Sequence, residues 1–176
     1  MELCATWRRL AGPSAALTII VIMVFVGANT SQAESSRQAA ASAVVQQIMS
    51  AALSRCYSQV NGVRRITFVP ATNGEVAQVK AVGDDAVAPL AGYLETTPRD
   101  GFTQLFAVKF LVAVGTPSTI PVLKRAFADD QWEVTRVVAL CGMFSIEPAA
   151  ARPYVKMALA DRSPLVRQYA QRLSVR

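Results

Sequence analysis

The stretch TPSTIPVLKRAFADDQWEVTRVVALCGMF, Thr116 to Phe144, decides the fold. Ser118 offers a side-chain oxygen to the free N–H groups of a helix start, and Pro117 and Pro121 fall in or near the first turn, where a missing donor costs little. This predicts helix A from about Pro117 to Ala128. Asp129 and Asp130 come next, supplying a cap and the negative charge that a helix N-terminus favours. Helix B then runs from about Gln131 to Phe144, with Val134, Val137, Val138 and Cys141 at helical spacing. Two amphipathic helices separated by a short turn make a hairpin.

The same scheme recurs on both sides with a period of 32 residues, marked by Pro89, Pro121 and Pro153. In step with the prolines fall Gly83 and Gly115, Ala128 and Asp129 against Ala160 and Asp161, and the apolar sets Phe102, Val134, Val166 and Leu105, Val137, Tyr169. Repeats are therefore expected over 84–115, opening near Asp84, then 116–147 and 148–176. In the last, helix A spans about Pro148 to Ala160 and helix B about Ser163 to Leu173, a polar capping helix that closes on Arg172 and Arg176. Ala81, Val82 and Gly83 match Ala113, Val114 and Gly115, so 73–83 reads as the second helix of a truncated first repeat.

Upstream, 34–60 reads as one long helix with Val44, Val45, Ile48, Ala52 and Leu53 on an apolar face, set to pack against the open end of the repeats. Residues 61–72 read as an extended connector, with a short strand as the alternative: Asn61 and Gly62 mark a turn, and Val63 to Val69 alternates weakly before Pro70. Residues 1–33 have the three parts of a secretory signal, with Arg8 and Arg9 ahead of the uncharged run Ala15 to Gly27 and small residues at Ser31 and Ala33. Cleavage is expected after Ala33, giving a periplasmic or extracellular protein. The apolar run has about 13 residues against the roughly 20 that a spanning helix needs, so an anchor retained through 15–27 is the alternative.

The segment ADRSPLVRQYAQRL, Ala160 to Leu173, resembles the bacterial HEAT-repeat pattern, in which an aspartate precedes a Val and Arg pair and then an Ala and Leu of helix B. Asp161, Val166, Arg167, Ala170 and Leu173 occupy those positions. The preceding repeat keeps Asp129, Val134, Ala139 and Leu140 but has Thr135 in place of the arginine, and the one before has Thr97 in place of the aspartate. The resemblance covers about Asn73 to Arg176. It implies an all-α fold, a short right-handed α-solenoid of HEAT-like helical hairpins preceded by one long N-terminal helix. It assigns Asp129, Asp161 and Arg167 structural tasks, with Arg167 expected to bridge to an acidic group of its own or a neighbouring repeat.

The chain contains no histidine, which removes the usual general base, the Ser/His and Cys/His nucleophile systems and the commonest metal ligand together. Gly-rich phosphate loops are missing too. No metal site, cofactor or catalytic residue is expected, and the chain reads as no enzyme. Asp84 with Asp85 and Asp129 with Asp130 are the paired carboxylates, but all stand at helix starts, where capping explains them. Removing 1–33 leaves 16 basic and 11 acidic residues, a net charge of +5 without a dense basic block, which fits acidic partners or surfaces; export argues against nucleic acid. Cys56 and Cys141 could form one disulfide, although free buried thiols are the common case in apolar helical patterns. Trp132 reads first as packing at the turn between stacked hairpins and second as a partner anchor.

Stacked hairpins build a continuous surface, so the expected function is non-enzymatic binding or scaffolding of a protein or peptide on the helix-B face, with Gln104, Lys109, Arg136 and Gln168 as contacts. The alternatives are a membrane-anchored HEAT-like accessory subunit and, with family precedents in pigment lyases and DNA glycosylases, a HEAT-like enzyme. Neither enzyme class has a signature in these residues.

Overall fold

In the computed structural model the period becomes a run of short helices. The backbone is described from Pro13 onward except at 61–62, 96–99 and 130–131, and side chains from Thr30 onward except at those positions and at 58–60, 63–65 and 129. Helix α1 spans Pro13–Cys56, and strands β1 (Tyr57–Val60) and β2 (Val63–Ile66) follow. Next come α2 (Asn73–Val82), α3 (Val87–Glu95), α4 (Gly101–Val114), α5 (Ile120–Asp129), α6 (Glu133–Ile146), α7 (Pro148–Ala158) and α8 (Pro164–Ser174). The described chain is thus helical apart from one two-stranded ladder.

It divides into two compact parts, residues 1–40 and 41–176. In the first, residues 30–40 of α1 are exposed, and Ser36 Oγ donates to the Gln32 carbonyl at 2.9 Å. The signal reading falls on residues 1–12, which lie outside the described residues, and on 13–29, which are helical in backbone and whose side chains lie outside them. Among the described residues no helix is long and apolar enough to cross a membrane.

In the second part, the element ends follow from local chemistry. Thr72 and Glu75 close a capping box at the start of α2: Glu75 N–H donates to Thr72 Oγ1 at 3.2 Å and Thr72 N–H to Glu75 Oε2 at 2.8 Å. Asp100 caps α4 by accepting from the N–H groups of Phe102 and Thr103. Gly115 ends α4 at φ 71°, a left-handed conformation that is cheap only without a Cβ. Asp84 accepts from the hydroxyls of Thr116 (2.5 Å) and Ser118 (2.7 Å), which tie the start of one predicted repeat to the start of the next.

Several predicted boundaries move. The helix expected over 34–60 stops at Cys56, and Tyr57–Val60 pairs antiparallel with Val63–Ile66, Tyr57 facing Ile66 and Val60 facing Val63. Within the connector expected over 61–72, Val63–Ile66 is a short strand; Thr67 N–H extends the pairing by donating to the Cys56 carbonyl at 2.9 Å. Helix A of the middle repeat opens with a 3-10 turn, Pro117–Thr119, before α5. Asp129 is the last residue of α5 and not the cap of α6, whose N-cap is Trp132 with no side-chain cap bond. Pro153 lies inside α7 because that helix already starts at Pro148.

The core runs through every helix from α1 to α8, with Met49, Val79, Leu90, Phe106, Phe110, Leu111, Leu123, Leu140, Met143, Ala151 and Val166 fully buried. Helix α4 packs on α2, α3 and α6, and α6 on α5, α7 and α8. Nine of the 14 residues of α4 are buried, so this helix is enclosed on nearly every side instead of presenting one apolar stripe. Contact between α4 and α6 is close: a Cβ on Gly142 would stand 2.2 Å from Val112 Cγ2.

Candidate partner-binding cleft

Helices α6 and α8 start side by side, and a polar ladder locks their N-terminal ends. Arg136 of α6 donates from Nε (3.2 Å) and Nη2 (2.7 Å) to the two oxygens of Asp161, just before α8. Asp161 Oδ1 also accepts from Ser163 N–H at 2.8 Å, and the Ser163 hydroxyl donates to Glu133 of α6. Arg167 donates to the carbonyls of Asp161 (2.7 Å) and Arg162 (3.1 Å). Burial disfavours the Asp161 carboxylate, but the Arg136 guanidinium and the Ser163 N–H outweigh it and hold its pKa below the ordinary value.

Above this ladder lies an open cleft of about 620 Å³, its walls formed by Trp132, Val134, Arg162 and Pro164. Trp132 leans on the bare face of Gly101, where a Cβ would meet the indole at 2.0 Å, and sets its ring edge-on to Phe102, centroids 5.5 Å apart. It still exposes 41 % of its surface, as does Val134. The cleft thus pairs a fixed aromatic plane and apolar neighbours with the charged Arg162 and Glu133, a combination suited to holding a side chain of a partner.

The expected helix-B contacts are redistributed. Gln104 is 5 % exposed and Arg136 4 %, so both are interior groups and not surface contacts: Arg136 is spent on Asp161, and α4 is covered around Gln104. Lys109 is half-buried with Nζ 4.9 Å from the Phe68 ring centroid, and only Gln168 stands exposed as expected. Phe68 stacks against Phe102 and Phe106, and Tyr57 meets Phe102 edge-on, so Tyr57 and Phe68 occupy part of the surface of α4 that was expected to receive a partner. Arg167 binds carbonyls instead of the acidic group expected of it, and Asp161 takes its arginine from α6. The side chain of Asp129 lies outside the described residues.

Among the described residues no three His, Cys, Asp or Glu side chains gather as a metal site would require. Cys56 and Cys141 are both free; burial raises the Cys141 pKa against the opposing pull of Arg176, so its thiol is no ready nucleophile. The signal for Arg136 that the sequence held was its place beside Asp161 one repeat on, a pairing visible only once the two helices are adjacent. No protein family, curated protein or solved structure matches this chain.

Proposed function

We propose that this chain is an extracytoplasmic, non-enzymatic scaffold of HEAT-like build, a short right-handed solenoid that holds a protein or peptide at the cleft between the starts of α6 and α8. The observation that carries this reading is Trp132, 41 % exposed on a cleft whose walls are pinned by the Arg136–Asp161 and Glu133–Ser163 links. Rigid aromatic anchors in pre-organised pockets supply most of the energy in typical interfaces. Gln168 is exposed on α8, one turn beyond Pro164 of the cleft wall. Export rests on the pattern of residues 1–33.

The test is affinity capture of the tagged chain from its native cells, with identification of what co-purifies and of the N-terminal residue. A stoichiometric protein that is lost with Trp132→Ala, at unchanged melting temperature, supports the cleft; retention of that protein by the variant rejects it. A second reading has one observation in its favour: α1 runs unbroken from Pro13 to Cys56, across the expected cleavage point. A chain that fractionates with membranes and keeps Met1 establishes that anchored form, whereas an N-terminus at Glu34 excludes it.

A further inference from the structure

A second pocket, of about 200 Å³, lies between α7 and the C-terminal end of α8. Phe144 of α6, Val155 of α7 and Leu173 of α8 give it an apolar floor. Its rim carries Arg152 and Lys156, one turn apart on α7, together with Arg176, all three exposed. No Asp or Glu side chain lines it.

Three cations around an apolar floor match an anion bonded directly to an apolar group. Guanidinium forks favour a planar carboxylate, which they can bind through two parallel hydrogen bonds. Sites that enclose drug-sized ligands measure roughly 300–1,000 Å³; the smaller pocket here suits one side chain better than an acyl chain. We propose that the pocket binds the C-terminal residue of a peptide, its α-carboxylate on Arg152, Lys156 and Arg176 and its apolar side chain against Phe144, Val155 and Leu173. None of these residues lines the Trp132 cleft, and the proposal does not rest on that one.

The experiment is fluorescence anisotropy of a labelled Gly/Ser peptide ending in leucine, titrated with the full chain, against the same peptide with an amidated C-terminus. Saturable binding is expected for the free carboxylate, about tenfold weaker for the amide, since exposed ion pairs contribute modestly each, and weaker again in raised salt. Arg152→Glu with Lys156→Glu is expected to remove it at unchanged melting temperature, and Arg176→Glu serves as an independent second variant. Trp132→Ala is expected to leave it intact, which separates failure here from failure of the cleft. Equal binding of acid and amide, or no saturable binding, overturns the proposal. So does binding of the chain to phosphatidylglycerol vesicles alone, abolished by the same substitutions, because the rim then serves an anionic membrane surface.

Discussion

Arg136 and Asp161 meet at 2.7 Å with side chains only 5 % and 12 % exposed, so both charges are largely withdrawn from water. Removing one partner of such a pair typically costs about 3–5 kcal/mol, because the other is left buried and unpaired. Asp161→Ala also orphans the Ser163 N–H and is expected to lower unfolding free energy by about 3 kcal/mol in urea denaturation. Arg136→Met together with Asp161→Leu is expected to recover most of that loss; a double variant as unstable as Asp161→Ala rules out the uncompensated charge as the cause. Gly142 makes the opposite case, one of space. Gly142→Ala puts a methyl into Val112 and is expected to cost about 1–3 kcal/mol as overpacking. Val112→Ala in the same chain should relieve it, which thermal melts of the single and double variants will read.

At the level of elements, α4 is the middle of the molecule, and its two aromatic neighbourhoods differ. Phe106 is fully buried, whereas Phe68 lies on top of it, 39 % exposed. Phe106→Ala is expected to cost about 3–5 kcal/mol and Phe68→Ala about 1–2 kcal/mol, measured by chemical denaturation; equal costs contradict the placement of Phe68 as a partly exposed cover on Phe106. The helices expected at 73–83, 117–128, 131–144, 148–160 and 163–173 have counterparts in α2, α5, α6, α7 and α8, because prolines and terminal glycines act locally. Helical phase was harder to read. Val134 belonged to the expected apolar face of α6 yet is exposed, while Thr135, Arg136, Leu140 and Met143 point inward. A helix packed between α4, α5, α7 and α8 has apolar residues on several sides, so its periodicity does not single out one face. The strand Tyr57–Val60 was hidden for another reason: the Ala- and Gln-rich run before it favours helix, and only the Asn61–Gly62 turn with β-prone residues on both sides signals a hairpin. The cleft was legible only as Trp132, since its walls come from residues 30 positions apart.

For the molecule as a whole, pH separates the groups that hold it together. The chain has no histidine, so no side chain has its ordinary pKa between about pH 5 and 8, and stability is expected to be nearly flat there. Below that window, four carboxylates among the described residues respond, Glu75, Asp84, Asp100 and Asp161, with Asp84 held below its ordinary value by the hydroxyls of Thr116 and Ser118. The Arg55 guanidinium, 2.6 and 2.7 Å from the two Glu75 oxygens, holds the Glu75 pKa below its ordinary value against the effect of burial. Burial opposes ionisation of Asp100 and Asp161, and hydrogen bonds from Tyr57 and Thr103 in the one case and from Arg136 in the other more than offset it. A carboxylate with a depressed native pKa stabilises the fold above its unfolded value, about 3.9 for Asp and 4.3 for Glu, and that stability is lost as pH falls through the native value. The melting temperature should therefore hold level from about pH 8 to 5 and fall steadily from about pH 5 toward pH 2. Glu75 joins α1 to α2 as well as capping α2, so Glu75→Gln is expected to lower stability at neutral pH and to flatten the acid limb, the two curves converging at the lowest pH. Parallel curves across the acid range, read by calorimetry, show instead that the Arg55–Glu75 pair contributes nothing to the link between α1 and the helices that follow.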